Sequence, residues 1–348
     1  MASAGCGTHQ ARIVTRKGAT VAEADVLTEV DWGRELNEFS SARVLINPSG
    51  DCCNHLANVR SWLHELQIFR DDKAVWWGPI LQPQWSVNGV EIFAADRLAW
   101  LDRRVPHESI TFGDSDLMDV AAWLIEDGYA PDDPGHSIYT VGRAGVSGGR
   151  AYTKDVGQTL DHLRDLAETG LDFTAVGNTI ILLPDAYSAS VGSLSDGDFP
   201  EGLVVAEDGS NLITRWIIAG DEDSGVLVSE GGADAEYGLL ERYEEQTSIT
   251  TAASATAAAR SKLLGSVPAP IFLDTQQVTI SPEAAVDVAS LVPGWSLDIA
   301  STATCRTVAQ RLKIVGLKVS ETGGGEDAPG SESVQVQLAV TGAEVSGA

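Results

Sequence analysis

Three two-residue turn signals, each set between runs of alternating polarity, constrain this sequence more than anything else in it. Asp71-Asp72 separates Leu66 and Ile68, which alternate with Glu65, Gln67 and Phe69, from the run AVWWGPI. Asn88-Gly89 lies between LQPQWSV and VEIFAAD, and Gly177-Asn178 between LDFTAV and TIILLP. Such pairs tolerate the positive φ that tight hairpin turns demand, and an alternating run buries one face while exposing the other. Ala42, Val44 and Ile46 alternate with Ser41, Arg43 and Leu45 in the same way. The first hundred residues therefore predict an antiparallel barrel or sandwich, roughly residues 8–105.

Helical spacing follows. Ser115 is the expected cap of a helix carrying Leu117, Val120, Ala121, Leu124 and Ile125 on one face, with Gly128 as its stop. A second helix is expected from Asp155, with Gln158 in a capping-box-like position, Val156, Leu160, Leu163 and Ala167 on one face, and Gly170 at its end. With the hairpin around Gly177-Asn178 these make a small α/β module, roughly 106–190. Further on, VVAED and LITRWIIAG flank Gly209-Ser210 and predict another hairpin, followed by a loop, DEDSGVLVSEGGADAEYG. An Ala-rich helix is expected at 252–264, before Gly265 and Pro268. Strands resume in PIFLDT, QVTISP, WSLDIAS and TCRTVAQRLKIVGLKVS, with a bulge at Gly316. The stretch TGGGEDAPGSES reads as a flexible excursion before SVQVQLAV, whose alternation requires a partner sheet. The expected class is mainly β with a small α/β insertion (α+β).

At 348 residues the chain exceeds what one core usually supports, so two to four domains are expected. It carries 23 Lys and Arg against 50 Asp and Glu, a formal net charge of −27. Residues 196–248 hold 14 acidic residues and only Arg215 and Arg242, a share of −12. Affinity for nucleic acid comes largely from Lys and Arg displacing counterions at phosphates, so this balance argues against a nucleic-acid binder, and equally against adhesion to an anionic membrane. No apolar run approaches the roughly 18 residues of a membrane helix, and MASAGCGTHQARIVTRKG lacks the apolar core of a signal peptide. A soluble chain without a cleaved signal is expected.

Catalytic constellations are sparse. GxSxG, HExxH, P-loop and dinucleotide-binding patterns are absent. The glycine run VGRAGVSGGRAY lacks the Lys-Ser/Thr ending of a phosphate cradle and reads as a mobile loop. His64 and His162 read as surface or boundary residues. The trio Asp221, Glu222, Asp223 has the residue types of a calcium loop, but the Gly and terminal Glu of an EF-hand are out of place, so a solvated acidic loop is expected; a glycosidase-type carboxylate pair stays open. Cys6-x-x-His9 with Cys52-Cys53-x-His55 has the residue types of a zinc or iron–sulfur site. Neighbouring Cys52 and Cys53 in an extended strand would point to opposite faces, which favours structural thiols, with a disulfide to Cys6 or Cys305 as the next reading. No cofactor is expected. Trp62, Trp76, Trp77, Trp85 and Trp100 either line a sugar-binding groove or, as Trp in a β-rich module does more often, form core and subunit interface.

Several separated segments share a resemblance. WLHELQIFRDDKAVWWGPI, preceded by Trp32, Arg34, Leu36, Asn37, Ser40 and Ala42 and by the Cys52-Cys53 pair, resembles the minor tail proteins of long-tailed phages of actinobacteria. LRDLAETGLDFTAVGNTI, EYGLLERYEEQTSI, AAARSKLL and LVPGWSLDI do so in the same order. The resemblance implies a tail-tip or baseplate hub: a homotrimer with two barrel-like tube domains per chain, giving a pseudo-sixfold ring that continues the tail tube. Expected divisions are a first tube domain at 1–105, an α/β decoration at 106–190 and a second β-rich tube domain with one helix at 191–320, part of 191–250 alternatively completing the first barrel. A loop and C-terminal strand occupy 321–348. Such a protein is not an enzyme. Its implied partners are the distal tail or tail-tube protein, other minor tail proteins and the tape measure protein, with genomic DNA passing through unbound and the host envelope met indirectly. Three copies would bring a formal −81, three times −27, around the DNA path. Asp221, Glu222, Asp223 and Glu230 are the candidates to face that lumen, a solvated outer surface being the alternative. Arg311 and Lys313, on one face of a late strand, and Trp76 and Trp77 are the candidates for a subunit interface.

Overall fold

The computed structural model describes residues 7–24, 27–47, 52–87, 89–207, 209, 212–220, 222, 225–246, 251–264, 266, 271–273, 278–303, 305, 307–323 and 331–340. The chain forms two compact units, a large one of residues 1–202, 276–301 and 309–341 and a small one of 203–275, 302–308 and 342–348.

The large unit opens with β1 (His9–Thr15), β2 (Thr20–Ala24), β3 (Leu27–Glu35), β4 (Ser41–Ile46), a helical turn α1 (Cys52–Leu56), β5 (His64–Arg70), β6 (Lys73–Ser86) and β7 (Gly89–Ala95). Asp71 and Asp72 both have positive φ, 49° and 64°, and close the β5–β6 hairpin between Arg70 and Lys73, as their residue types predict. Ser86 pairs with Gly89 at the end of the β6–β7 hairpin; Asn88 itself lies outside the described residues. Cys52 and Cys53 fall in the helical turn, not in a strand.

A 3-10 segment (Arg97–Arg103) leads to β8 (Ile110–Asp116), α2 (Leu117–Tyr129), β9 (Ser137–Thr140), β10 (Ser147–Tyr152), α3 (Thr159–Ala167), β11 (Leu171–Val176), β12 (Thr179–Pro184) and β13 (Ser190–Ser195). Both helices start later than expected. Asp116, the last residue of β8, caps α2 in place of Ser115 by accepting from the Met118 N–H, so the helix starts directly where the strand ends. Gly128 does not stop α2 but lies within it. Asp155 has φ 61° and cannot open a helix, so α3 begins at Thr159 after Gln158. The second half of the glycine run is β10, not loop. Leu117, Val120, Ala121, Leu124 and Ile125 do form the buried face, packed with Leu160, Leu163, Phe173 and Leu182.

In the small unit, β14 (Val205–Glu207), β15 (Arg215–Ala219), β16 (Leu227–Gly231) and β17 (Glu241–Glu245) precede α4 (Ala252–Leu264) and β18 (Ile271–Leu273). The expected hairpin about Gly209-Ser210 does not form: β14 pairs with β18, while β15 pairs antiparallel with β16 and parallel with β17. Short-range turn chemistry lost here to a longer-range partner. The acid-rich stretch read as loop supplies β16, and α4 occupies its expected span. Its core is Ile213, Trp216, Ile218, Ala255 and Ala259. Gly231 is required: with φ 87°, a Cβ there would meet the Thr214 carbonyl at 2.2 Å.

Back in the large unit, β19 (Val278–Ile280), β20 (Ser296–Ser301), β21 (Val308–Thr322) and β22 (Ser331–Val340) complete a 12-stranded sheet. Its order is β13-β20-β21-β3-β4-β7-β6-β5-β1-β2, with β22 on β21 and β19 on β22. The strand at SVQVQLAV thus finds its partner sheet, and the bulge expected near Gly316 is a register shift between Ile314 and Gly316. β6 makes the sheet turn back on itself. Its first half pairs with β5 and its second with β7, with a register shift between Ile80 and Gln82. Gly78 lies at this corner, where a Cβ would sit 1.8 Å from the Ala95 carbonyl.

The fold class is mainly β, α+β, as expected; the closed barrels are not. Among the described residues β2 and β13 end the sheet without pairing to each other. The two arms of the bent sheet meet instead through side chains. The Trp32 indole donates to His9 Nε2 at 3.0 Å, and the Gly7 and His9 N–H groups donate to the carboxylates of Glu332 and Glu321. Side-chain acceptors satisfy main-chain donors that a closed barrel would give to a neighbouring strand.

Candidate functional site

The most built feature of the large unit is a set of buried ionic contacts. Glu65 on β5 and Arg97 at the end of the β7 connection are both fully buried and meet as a fork, 2.8 and 2.9 Å. The Trp77 indole donates to Glu65 at 2.7 Å, and the Arg97 guanidinium lies 4.8 Å from the Trp77 ring. Arg97 also donates to the Pro134 carbonyl, and the Tyr129 hydroxyl donates to the Arg97 carbonyl. Burial holds the Glu65 carboxyl above its usual range in spite of Arg97 and Trp77.

Arg70 forks onto Glu332 at 2.6 and 2.8 Å. Burial opposes ionisation of Glu332, but Arg70 and the Gly7 N–H outweigh it and hold the carboxyl below its usual range. His9 Nδ1 lies 2.6 Å from Glu321. Among the described residues no carboxylate lies within 4 Å of the Arg34 guanidinium; it donates to the carbonyls of Val75, Ala289 and Leu291, and burial lowers its pKa to about 10, still charged at neutral pH. Single-sided removal of such charges is strongly destabilising, which ties the strands they join to one geometry.

The expected interface residues are distributed differently. Lys313 is buried, ion-paired with Asp172 and donating at 2.7 Å to the Asp185 carbonyl; Asn37 holds the other Asp172 oxygen at 2.8 Å. Arg311 is half-buried and forks onto Asp298 of β20 at 2.7 and 3.2 Å. The basic face read from the sequence thus meets acids of its own chain. Trp76 is core, donating to the Ser40 hydroxyl, while Trp77 is half-buried. Of the acidic candidates, Glu222 is exposed, Glu230 accepts from Arg260 of α4 at 3.3 Å, and Asp221 and Asp223 lie outside the described residues. Cys6 and the side chains of Cys52 and Cys53 also lie outside them, and Cys305 is an exposed thiol.

Five histidine rings bond to carboxylates or main chain: His9 to Glu321, His64 to the Arg60 N–H, His107 to the Asp127 carbonyl, His136 to Asp133 and His162 to the Val156 carbonyl. Among the described residues no group of three or more His, Cys, Asp or Glu is set to hold a metal ion, and no helix is long and apolar enough to cross a membrane. Sequence reasoning missed Glu65–Arg97 and Arg70–Glu332. The alternation of Leu66 and Ile68 with Glu65 and Gln67 sets Glu65 on the outer face, so its burial and its need for a partner became visible only in the structure.

No protein-family model matches the chain, and no curated protein matches it in sequence. Its fold, however, is similar to that of solved tail proteins from end to end. The 43 kDa tail protein of prophage MuSo2 from Shewanella oneidensis superposes with a TM-score of 0.62 at 13% identity, covering 95% of this chain and 97% of that one. A tail protein from Neisseria meningitidis gives 0.62 at 12% identity, with 95% and 96% covered. A type VI secretion component of E. coli, itself structurally similar to the T4 tail proteins gp27 and gp5, gives 0.52 at 10% identity, with 92% and 76% covered.

Proposed function

We propose that this chain is a structural virion protein, the hub of a phage tail tip. The observation that carries the reading is the end-to-end match to tail proteins, which takes in nearly the whole of both chains. The buried charge pairs support it, because a ring that must hold its shape benefits from contacts that are costly to rearrange. In this reading the protein is a homotrimer whose ring continues the tail tube, with residues 1–105 and 191–320 as tube-forming parts and 106–190 as decoration. It anchors the distal tail or tube protein, other minor tail proteins and the tape measure, sits at the tip of the virion tail, and reaches the host envelope indirectly. Long-tailed phages of actinobacteria are the source that the sequence resemblance supports.

Part of the acidic 196–248 segment, Glu222 foremost among the described candidates, faces the channel. Carboxylates there keep phosphates from adhering as DNA is ejected. Native mass spectrometry of the purified protein is the direct test: a three-subunit species is expected, and monomer or dimer alone at assembly concentrations would count against the ring. A carbohydrate-binding tail module is the second reading, favoured by Trp85, which is 49% exposed and lines a surface concavity with Arg60, Gln82 and Pro83. Glycan-array binding abolished by Trp85→Ala would establish it.

A further inference from the structure

Elsewhere in the large unit, Arg16 beyond the end of β1, Trp62 in the turn before β5, and Trp100, Arg103 and Arg104 around the 3-10 segment line a concavity of about 450 Å³. Trp62 and Trp100 meet edge to face with ring centroids 4.9 Å apart. Arg16 and Arg104 lie 4.7 and 5.9 Å from the Trp100 ring, and Arg103 lies 5.8 Å from the Trp62 ring. Three cations so close together are unexpected in a chain of net charge −27.

Three further observations point to a ligand. Trp62 has φ 61°, a left-handed conformation costly for a bulky side chain, held by its N–H bond to the Ile80 carbonyl at 2.8 Å. Trp100 is 7% exposed, yet among the described residues its buried indole N–H has no acceptor. Arg103 is exposed, with no carboxylate within 4 Å among the described residues, whereas Arg16 and Arg104 share Asp132 at 2.6 and 3.4 Å.

The chemistry of the lining selects the ligand. Its side chains offer N–H donors and aromatic faces but no acceptor. A neutral sugar, whose hydroxyls donate as well as accept, would leave its donors unmet. An acceptor-only anion fits, and Asp132 already shows a carboxylate lying between two of these guanidiniums. A long polyanion would be repelled by the acidic surface, while a single carboxylate meets mainly the local field.

We propose that this concavity binds a carboxylate side chain flanked by apolar residues on an acidic protein segment, with Arg103 holding the carboxylate and the Trp62 ring the apolar flank. The occupant is a second copy of this chain, which carries such a segment: Tyr237, Leu239 and Leu240 are exposed beside Glu241, whose carboxylate exchanges its surface pair with Arg215, 2.6 Å away, for Arg103 on docking. The assignment stands on this lining and does not depend on the tail-hub reading.

Calorimetric titration of the full-length protein with the peptide Tyr-Gly-Leu-Leu-Glu, the sequence of residues 237–241, tests it. Saturable binding is expected, weakened at least tenfold by Arg103→Gln and only slightly by Arg103→Lys. Arg103 is exposed, so both variants are expected to keep the parent's unfolding midpoint, which is measured alongside. Absence of saturation, equal affinity in Arg103→Gln, or equally tight binding of inorganic phosphate or a neutral trisaccharide would overturn the proposal.

Discussion

The two units of this chain treat charge in opposite ways. In the large unit Glu65, Arg97, Arg70, Glu332, Lys313 and Asp172 are all buried, each with a partner of opposite sign. In the small unit five buried residues form the core among those described, and the ion pairs Arg215–Glu241, Arg260–Glu230 and Lys262–Glu244 lie at its surface. α4 covers one face of the small unit's sheet. On the other face Leu227 and Tyr243 are more than half exposed, beside Ile217 and Arg215. A buried pair penalises every arrangement but one, whereas a surface pair tolerates many. The large unit is built as a frame, and the small unit as a surface.

The comparison is broken most directly at Glu65. Glu65→Ala leaves the Arg97 guanidinium buried without its carboxylate and is expected to destabilise the large unit by about 3–5 kcal/mol. Urea unfolding followed by Trp fluorescence measures this. The paired replacement Glu65→Leu with Arg97→Met is expected to recover most of the loss, since it removes both charges together. If the single change costs under about 1 kcal/mol, the pair behaves as a surface contact and the contrast fails.

How much of this was legible in the sequence depended on how local the decisive interaction was. Asp71-Asp72 and Gly177-Asn178 set their own hairpins because positive φ is a property of the turn residues themselves. The Ala-rich helix was legible for the same reason. Gly209-Ser210 misled because β14 finds its partner more than sixty residues later, at β18. Ser115 misled by one position, because both it and Asp116 have the residue type of a cap and it is Asp116 that ends the strand. Arg311 and Lys313 stood out in the strand pattern, but their partners, Asp298 and Asp172, come from other elements that the pattern cannot name. The barrel expectation failed where closure depends on the ends of the sheet, and there Glu321 and Glu332 serve in place of a strand.

Asp96 is a buried carboxyl with, among the described residues, no cation in contact. It accepts from the Ser40 N–H and hydroxyl, both at 2.6 Å, and from the Leu98 N–H at 2.9 Å. Burial nevertheless pushes its pKa up to about 7. Because the folded value lies above the unfolded one, Asp96 costs nothing below the ordinary carboxylate range. Its cost grows as pH rises and is complete only above about 7. The urea midpoint is therefore expected to be higher at pH 5 than at pH 8. Asp96→Asn is expected to flatten that difference, by on the order of 1–3 kcal/mol. Glu332 and Asp298, whose pKa values are lowered, lose stability only at more acidic pH; Glu65 and Glu35, raised by burial, act in the same sense as Asp96, and His64, lowered by burial, acts in the opposite one, so the Asn variant isolates the share of Asp96. An unchanged slope in the Asn variant would assign the pH response to other groups.

The smallest effect is expected in the small unit, at Arg260. Its guanidinium is two-thirds exposed and meets Glu230 at 3.3 Å, a geometry in which water screens most of the attraction. Arg260→Gln should cost no more than about 0.5 kcal/mol and lose even that in 0.5 M salt. The same salt should leave the Glu65→Ala loss almost untouched, since that pair has no contact with solvent. Measuring both variants at low and high salt sets the two units against each other in one experiment. A large, salt-resistant loss at Arg260 would mean that α4 is fixed to its sheet by charge as firmly as the large unit is, and that the five-residue apolar core beneath it does less of the holding than its burial implies.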